Sequence, residues 1–189
     1  MGKSMNSTTS ENGSKFATEL FFWAQALVLS LVVLVLFNVF FFRISGVVGS
    51  SMEPTLQNGD RILLRIIGYS EPERGDIVVV QAPQFDNEPL VKRIIAVGGD
   101  EININNLGEV YINGELQYEP YILETINSAN IGNQVYPLVI PEGYVFFMGD
   151  NRNGSTDSRE SYVGIQPVSN IIGKVESRIW PINKIGGLS

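Results

Sequence analysis

Two residues in this chain stand in surroundings that point to chemistry: Ser51, in Gly49-Ser50-Ser51-Met52-Glu53-Pro54-Thr55-Leu56, and Lys92, inside the apolar run Leu90 to Val97. The chain has no histidine and no cysteine. A Ser-His-Asp triad, a Cys-His pair and the usual His/Cys zinc sites are therefore excluded, and no metal or other cofactor is expected. If Ser51 is a nucleophile, its base must be another group, and a buried lysine is the best candidate available.

Only three lysines follow the N-terminal apolar run: Lys92, Lys174 and Lys184. Strand alternation puts Lys92 on a face with Leu90, Ile94 and Ala96, and Arg93 on the other with Val91, Ile95 and Val97. Both faces are otherwise apolar, so one of these two cations must be drawn into an apolar environment. Burial disfavours the ammonium form and lowers a lysine pKa. A neutral amine can take the proton of a serine hydroxyl, whereas arginine does not deprotonate. The alternative is a lysine at a sheet edge that snorkels to keep its ammonium in water. For Ser51 the alternative is an ordinary turn residue. Pro54 stiffens the backbone just beyond it, and Met52 suits the lining of a small pocket. A third segment, Met148 to Arg159, follows an apolar strand and is dense in hydrogen-bonding groups. It reads either as a polar surface loop or as a support in which Ser155 orients a lysine amine and an Asp157–Arg159 pair holds the loop rigid.

These residues need a frame, and the sequence provides two parts. Leu20 to Phe42 is a run of 23 residues without a charge. As a helix it would be about 35 Å long, enough to cross a bilayer core of about 30 Å. It is longer than the apolar core of a cleavable signal peptide, so a retained transmembrane anchor over 20–43 is expected, after a disordered polar tail over 1–19. The rest, 44–189, reads as one domain of strands and turns. Strands are predicted at Arg61 to Ile67, Ile77 to Gln81, Leu90 to Val97, Tyr144 to Met148 and Ile171 to Ile179. A hairpin is predicted across Asn113-Gly114, because Asn-Gly supplies the positive φ angles of a two-residue type I′ turn. No stretch after the anchor has a helical period, and residues 119–141 look like a polar excursion. The expectation is a mostly β domain whose loops carry the chemistry.

From Arg43 onward there are 11 Lys/Arg against 18 Asp/Glu, with no dense basic stripe. That excludes the usual electrostatic footprint of nucleic-acid binding. A charge count of the two anchor flanks is nearly balanced and does not orient the helix. Two readings other than a membrane-bound enzyme fit parts of the chain. A membrane-tethered, non-catalytic β binding domain explains the anchor and strands, but not the internal Lys92 beside the serine loops. A soluble self-cleaving Ser/Lys repressor conflicts with the apolar run.

Taken in order, five segments resemble the type I signal peptidase family of membrane-anchored Ser/Lys proteases. They are the anchor; Ser51-Met52-Glu53-Pro54-Thr55-Leu56; Arg74-Gly75-Asp76-Ile77-Val78; Lys92-Arg93-Ile94-Ile95-Ala96-Val97-Gly98-Gly99-Asp100; and Gly149-Asp150-Asn151-Arg152 with Ser155, Asp157-Ser158-Arg159 and Gly164. The resemblance spans about residues 20 to 180. It implies Ser51 as nucleophile, Lys92 as general base and Ser155 as hydrogen-bond partner of the amine. It implies a structural ion pair of Asp157 and Arg159, joined by Arg93. It further implies a largely antiparallel β fold, exported preproteins bearing signal peptides as substrates, and a lipid bilayer as second partner. The catalytic domain would lie on the outer side, periplasmic, extracytoplasmic or in a thylakoid lumen. Where some family members carry a serine two residues before the nucleophile, this chain has Gly49. Oxyanion stabilisation would then fall to the Ser51 N–H, with Gly49 or Ser50 as helpers. Met52, Leu90 and Val91 are the expected pocket linings.

Overall fold

The structure is a computed structural model and describes residues 8–83 and 88–188, the side chains of residues 8–15, 38 and 39 excepted. It comprises two compact units, Met1–Phe40 and Phe41–Ser189.

The first unit is one helix, α1 (Thr8–Phe41). Its segment Phe16–Phe37 is long and apolar enough to cross a membrane. Side chains along it, from Phe16 and Trp23 to Leu36 and Phe37, are exposed on every face. A helix that is apolar all round needs lipid or protein to cover it. The start at Thr8 corrects the expected disordered tail over residues 8–19; residues 1–7 of that tail lie outside the described residues. Helix extension adds one hydrogen bond per residue once a nucleus exists, so the apolar segment propagates helix into its polar flank. The end at Phe41 also departs from the expected 20–43 anchor. The next residues form strand β1 (Phe42–Gly46), which pairs antiparallel with β2 (Arg61–Arg65), Phe42 opposite Arg65 and Gly46 opposite Arg61. Phe42 and Ile44 extend the apolar run, so composition alone does not mark where helix gives way to strand.

The second unit is all-antiparallel β, as expected. The remaining strands are β3 (Ile77–Gln81), β4 (Pro89–Val97), β5 (Glu101–Ile104), β6 (Val110–Ile112), β7 (Glu115–Leu116), β8 (Leu138–Val139), β9 (Tyr144–Met148), β10 (Gln166–Pro167) and β11 (Ile171–Trp180). Seven strands form one sheet in the order β1-β2-β11-β3-β4-β9-β10, and four form a second in the order β7-β6-β5-β8. The Asn113-Gly114 hairpin lies between β6 and β7, with φ of 53° at Asn113 and 82° at Gly114. The short strands β8 and β10 and the polar strand β5 carry no alternation long enough to read from sequence. Residues 119–141 are largely loop, with one short 3-10 turn at Ser128–Asn130.

Three apolar clusters hold this unit together. Ile95, Ala96, Phe146 and Met148 pack with Ile102, Ile112 and Ile140 of the second sheet region. Met52, Leu56, Ile62, Leu64, Ile77 and Val79 form another. Val78, Val80, Ile94, Val145, Phe147 and Val163 form the third. A register shift between Ile94 and Ala96 against β9 changes the expected faces of β4. Ala96 joins Ile95 in the first cluster, while Val97 packs with Ile94 against the third. Such a bulge sets two residues against one on the partner strand and re-aims the side chains beyond it.

Candidate active site

The turn that carries Ser51 begins just beyond β1 and is fixed from below. Met52 and Leu56 are sunk in the core, and the Leu56 N–H donates to the Met52 carbonyl at 2.9 Å. The Thr55 hydroxyl donates to Asp150 Oδ2 at 2.5 Å, and Arg178 Nη1 donates to the Thr55 carbonyl at 2.9 Å. Apolar burial at two positions and polar anchors at a third leave the half-buried Ser51 little freedom to move. Its hydroxyl has no hydrogen-bond partner among the described residues.

Lys92 stands near the middle of β4, opposite Val78 of β3. It is 3% exposed, and its amine donates to Ser155 Oγ at 3.0 Å. Burial holds the amine down to about 8, partly offset by the nearby Asp157 and Asp150 carboxylates and assisted by Arg159. Arg93 is also buried, but it takes a different partner. Its guanidinium makes a two-pronged pair with Asp150, Nε and Nη2 each at 2.8 Å, and stacks on the Tyr121 ring at 3.9 Å. Both cations are therefore buried, where the alternation required only one. Arg93 does not join the Asp157–Arg159 pair, which corrects the expectation. A fork-shaped guanidinium is satisfied best by a carboxylate that accepts both prongs, and Asp150 lies within its reach.

The loop after β9 supports the amine. Asp157 accepts from Arg159 Nε at 2.7 Å and Nη2 at 2.9 Å, and from the Gly149 N–H at 3.0 Å. Arg159 Nη2 also donates to the Ser155 carbonyl at 3.2 Å. The buried Ser158 hydroxyl accepts the Phe147 N–H at 3.1 Å. At Gly149 a side chain has no room, because a Cβ there would meet both the Ser51 carbonyl oxygen and the Ser155 hydroxyl. Gly149 is thus the point where the Ser51 turn and the Ser155 loop close on each other.

A groove of about 370 Å³ runs beside Ser51, lined by Met52, Leu90 and Val91 together with Val47, Val48 and Val79. Gly49 and Ser50 are not part of its lining. The Gly49 N–H donates to Asn58 Oδ1 at 3.1 Å, so that N–H is already committed. The Ser50 carbonyl accepts from the Glu53 N–H at 3.1 Å and from Asn151 Nδ2 at 3.2 Å. Strand β9 pairs with β4 only from Arg93 onward, so among the described residues Pro89 to Lys92 keep an unpaired edge on that side.

Sequence reasoning missed several supporting residues. Asp150 and Thr55 bridge the Ser51 turn to Arg93. Arg152, wholly buried, forms a two-pronged pair with Glu119 at 2.8 and 2.7 Å, which ties the 119–141 excursion to the loop after β9. Asn153 adds bonds to Thr125 and Asn127, and Arg159 reaches Asn130. The Gly149-Asp150-Asn151-Arg152 run was visible, but which distant group each side chain meets was not. Among the described residues no group of acidic side chains is arranged to hold a metal.

Comparison with known proteins gives a consistent result. The family model described as signal peptidase, peptidase S26, matches residues 20–180. Signal peptidase I of Bacillus licheniformis is 33% identical over 184 residues, covering 94% of this chain and 97% of the relative. A probable signal peptidase I-2 of Synechocystis is 38% identical over 148 residues, covering 74% of this chain and 64% of the relative. Thylakoidal processing peptidase 1 of Arabidopsis thaliana is 33% identical over 174 residues, covering 86% of this chain and 49% of the relative. The chain therefore spans about half of the plant relative, and nearly all of the Bacillus one. With the family model running from the apolar helix to the last long strand, and with that relative matched almost end to end, this chain belongs to the signal peptidase family, peptidase S26.

Proposed function

We propose that this protein is a membrane-bound serine endopeptidase that removes signal peptides from exported preproteins, with Ser51 as nucleophile and Lys92 as general base. The observation that carries this reading is the buried Lys92 amine. It is held near 8 and bonded to the Ser155 hydroxyl, which lies with the Ser51 carbonyl oxygen on one side of Gly149. An amine that is half neutral near pH 8 can accept a proton and return it, which general acid–base catalysis needs.

In the proposed cycle neutral Lys92 takes the Ser51 hydroxyl proton as Ser51 Oγ attacks the scissile carbonyl. The carbonyl π electrons move to oxygen, and the Ser51 N–H stabilises the oxyanion. The intermediate collapses, the peptide C–N bond breaks, and Lys92 ammonium protonates the leaving amine. Lys92 then deprotonates a water whose oxygen attacks the acyl carbon; the bond from that carbon to Ser51 Oγ breaks, and the Lys92 ammonium returns the proton to Ser51 Oγ. Ser155 keeps the amine aimed, and the Asp157–Arg159 pair keeps Ser155 in place. An extended substrate would pair with the open edge of β4 at Pro89 to Lys92 and lay small side chains into the valine-lined groove. In this reading the catalytic domain lies on the outer side, periplasmic, extracytoplasmic or lumenal, where an exported preprotein would present its cleavage site. Nothing in the comparisons supports a tethered, non-catalytic binding domain.

Purified full-length protein in detergent tests this with a preprotein carrying an Ala-x-Ala site. Wild type is expected to release the mature product. Ser51→Ala, Lys92→Met and Lys92→Arg are each expected to lose at least about a thousandfold in rate while remaining folded, since a nucleophile and its base act as a unit. Lys92→Arg keeps the charge and loses the base, so near-normal rates in that variant would end the Lys92 assignment.

A further inference from the structure

With Gly49 in place of a serine, one backbone N–H is left to serve the oxyanion, and Asn151 is placed to orient it. Its side-chain Nδ2 donates to the Ser50 carbonyl at 3.2 Å, and its backbone N–H donates to the Ser51 carbonyl at 3.0 Å. One residue thus grips the peptide groups on both sides of the Ser51 α-carbon. Its Oδ1 accepts the Gly154 N–H at 3.1 Å, immediately before Ser155. We infer that Asn151 is a positioning residue for the oxyanion site, holding the Ser50–Ser51 peptide plane so that the Ser51 N–H faces the developing charge.

This role rests on Ser51 being the nucleophile proposed above. A peptide group is planar and trans, so its C=O and N–H point in opposite directions, and fixing one fixes the other. The Ser50 carbonyl is held by two donors, Asn151 Nδ2 and the Glu53 N–H, and the Ser51 N–H on the other end of that plane has no partner among the described residues. Hydrogen bonds to the carbonyl also polarise the peptide and strengthen its N–H as a donor. With no serine hydroxyl at position 49 and the Gly49 N–H committed to Asn58, the orientation of this one N–H carries unusual weight.

The test uses full-length protein in detergent, as wild type, Asn151→Asp and Asn151→Ala. Each is assayed with an Ala-x-Ala peptide, with a cleaved-product peptide, and with a peptide boronate, whose boron forms an anionic tetrahedral adduct on a serine hydroxyl. Asn151→Asp keeps the size of the side chain and the acceptor for the Gly154 N–H but loses the donor to Ser50, so it carries the test if Asn151→Ala unfolds. Losing an oxyanion donor outright costs about 100- to 1000-fold. Misaiming one is expected to lower kcat about 10-fold, with KM and product-peptide binding unchanged and boronate affinity falling in step with kcat. The midpoint of the pH profile should stay at its wild-type value in the neutral Asn151→Ala variant, whereas the new carboxylate of Asn151→Asp would raise it. Wild-type kcat, an unchanged boronate affinity beside a lowered kcat, or a moved pH midpoint in Asn151→Ala would each overturn the inference, the last by placing Asn151 on the lysine side of the site. Cleavage by Ser51→Ala at the wild-type rate would instead remove the nucleophile assignment, and this inference with it.

Discussion

At the scale of single residues, the chemistry depends on the different partners taken by two adjacent cations. Arg93 and Lys92 are both buried on β4, yet Arg93 has a carboxylate in its fork and Lys92 has a hydroxyl. A paired guanidinium stays charged. An amine with a hydroxyl partner in a dry site is pushed toward the neutral form, here to about 8 from an ordinary 10.5. The sign of the pH dependence follows. With Lys92 as the proposed base, the amine must be unprotonated, so kcat/KM is expected to rise as pH rises through about 8 and to level off above it, not to wait for the ordinary lysine range. A pH–rate profile in detergent checks this, and a profile still climbing at pH 10 would show the amine to be solvated. The existence of a buried cation here was legible in the sequence, because both faces of Leu90 to Val97 are apolar. Which partner each cation met was not, because Asp150 and Ser155 lie more than fifty residues further along the chain.

At the scale of elements, the site is a junction of β4, the turn after β1 and the loop after β9. The strands that carry it show plain alternation or continuous apolar runs, and the bounds of β3 and β9 agree with the sequence reading. The departures are equally instructive. The bulge at Ile94/Ala96 moves Ala96 to the face of Ile95, because β9 pairs two residues of β4 against one there. Periodicity cannot show a bulge, since it belongs to a pair of strands. The 119–141 segment reads as a polar excursion by composition, and the Glu119–Arg152 pair and the Asn153 and Arg159 bonds fasten it to the loop after β9. Breaking one partner of a buried pair leaves the other charge uncompensated, at a cost of about 3–5 kcal/mol. Arg152→Ala is accordingly expected to lower the denaturant midpoint of the β unit substantially and to loosen residues 119–130. Hydrogen exchange across that segment reads the effect directly, and unchanged protection would show the pair to be incidental.

At the scale of the whole molecule, an apolar helix and an acidic β unit make a single-pass membrane protein of the signal peptidase family. With apolar side chains exposed all round α1, the chain is expected to remain in the membrane pellet after alkaline carbonate and to move to the supernatant only with detergent. Release by carbonate alone would mean that the helix does not span. The amino-acid sequence by itself determined the residue types on which all this rests. It excludes imidazole and thiol chemistry, and it supplies a membrane-length apolar run, strand-forming alternation and serine and lysine boxes in the order of one family. These are local properties, set by composition and by periods of a few residues. Tertiary structure alone decided where α1 stops and β1 begins, which acid holds Arg93, how dry the Lys92 amine is, and that Asn151 grips the peptides around Ser51. Each of these depends on groups separated along the chain and brought together by strand pairing, and neither burial nor hydrogen-bond direction exists until the strands have paired.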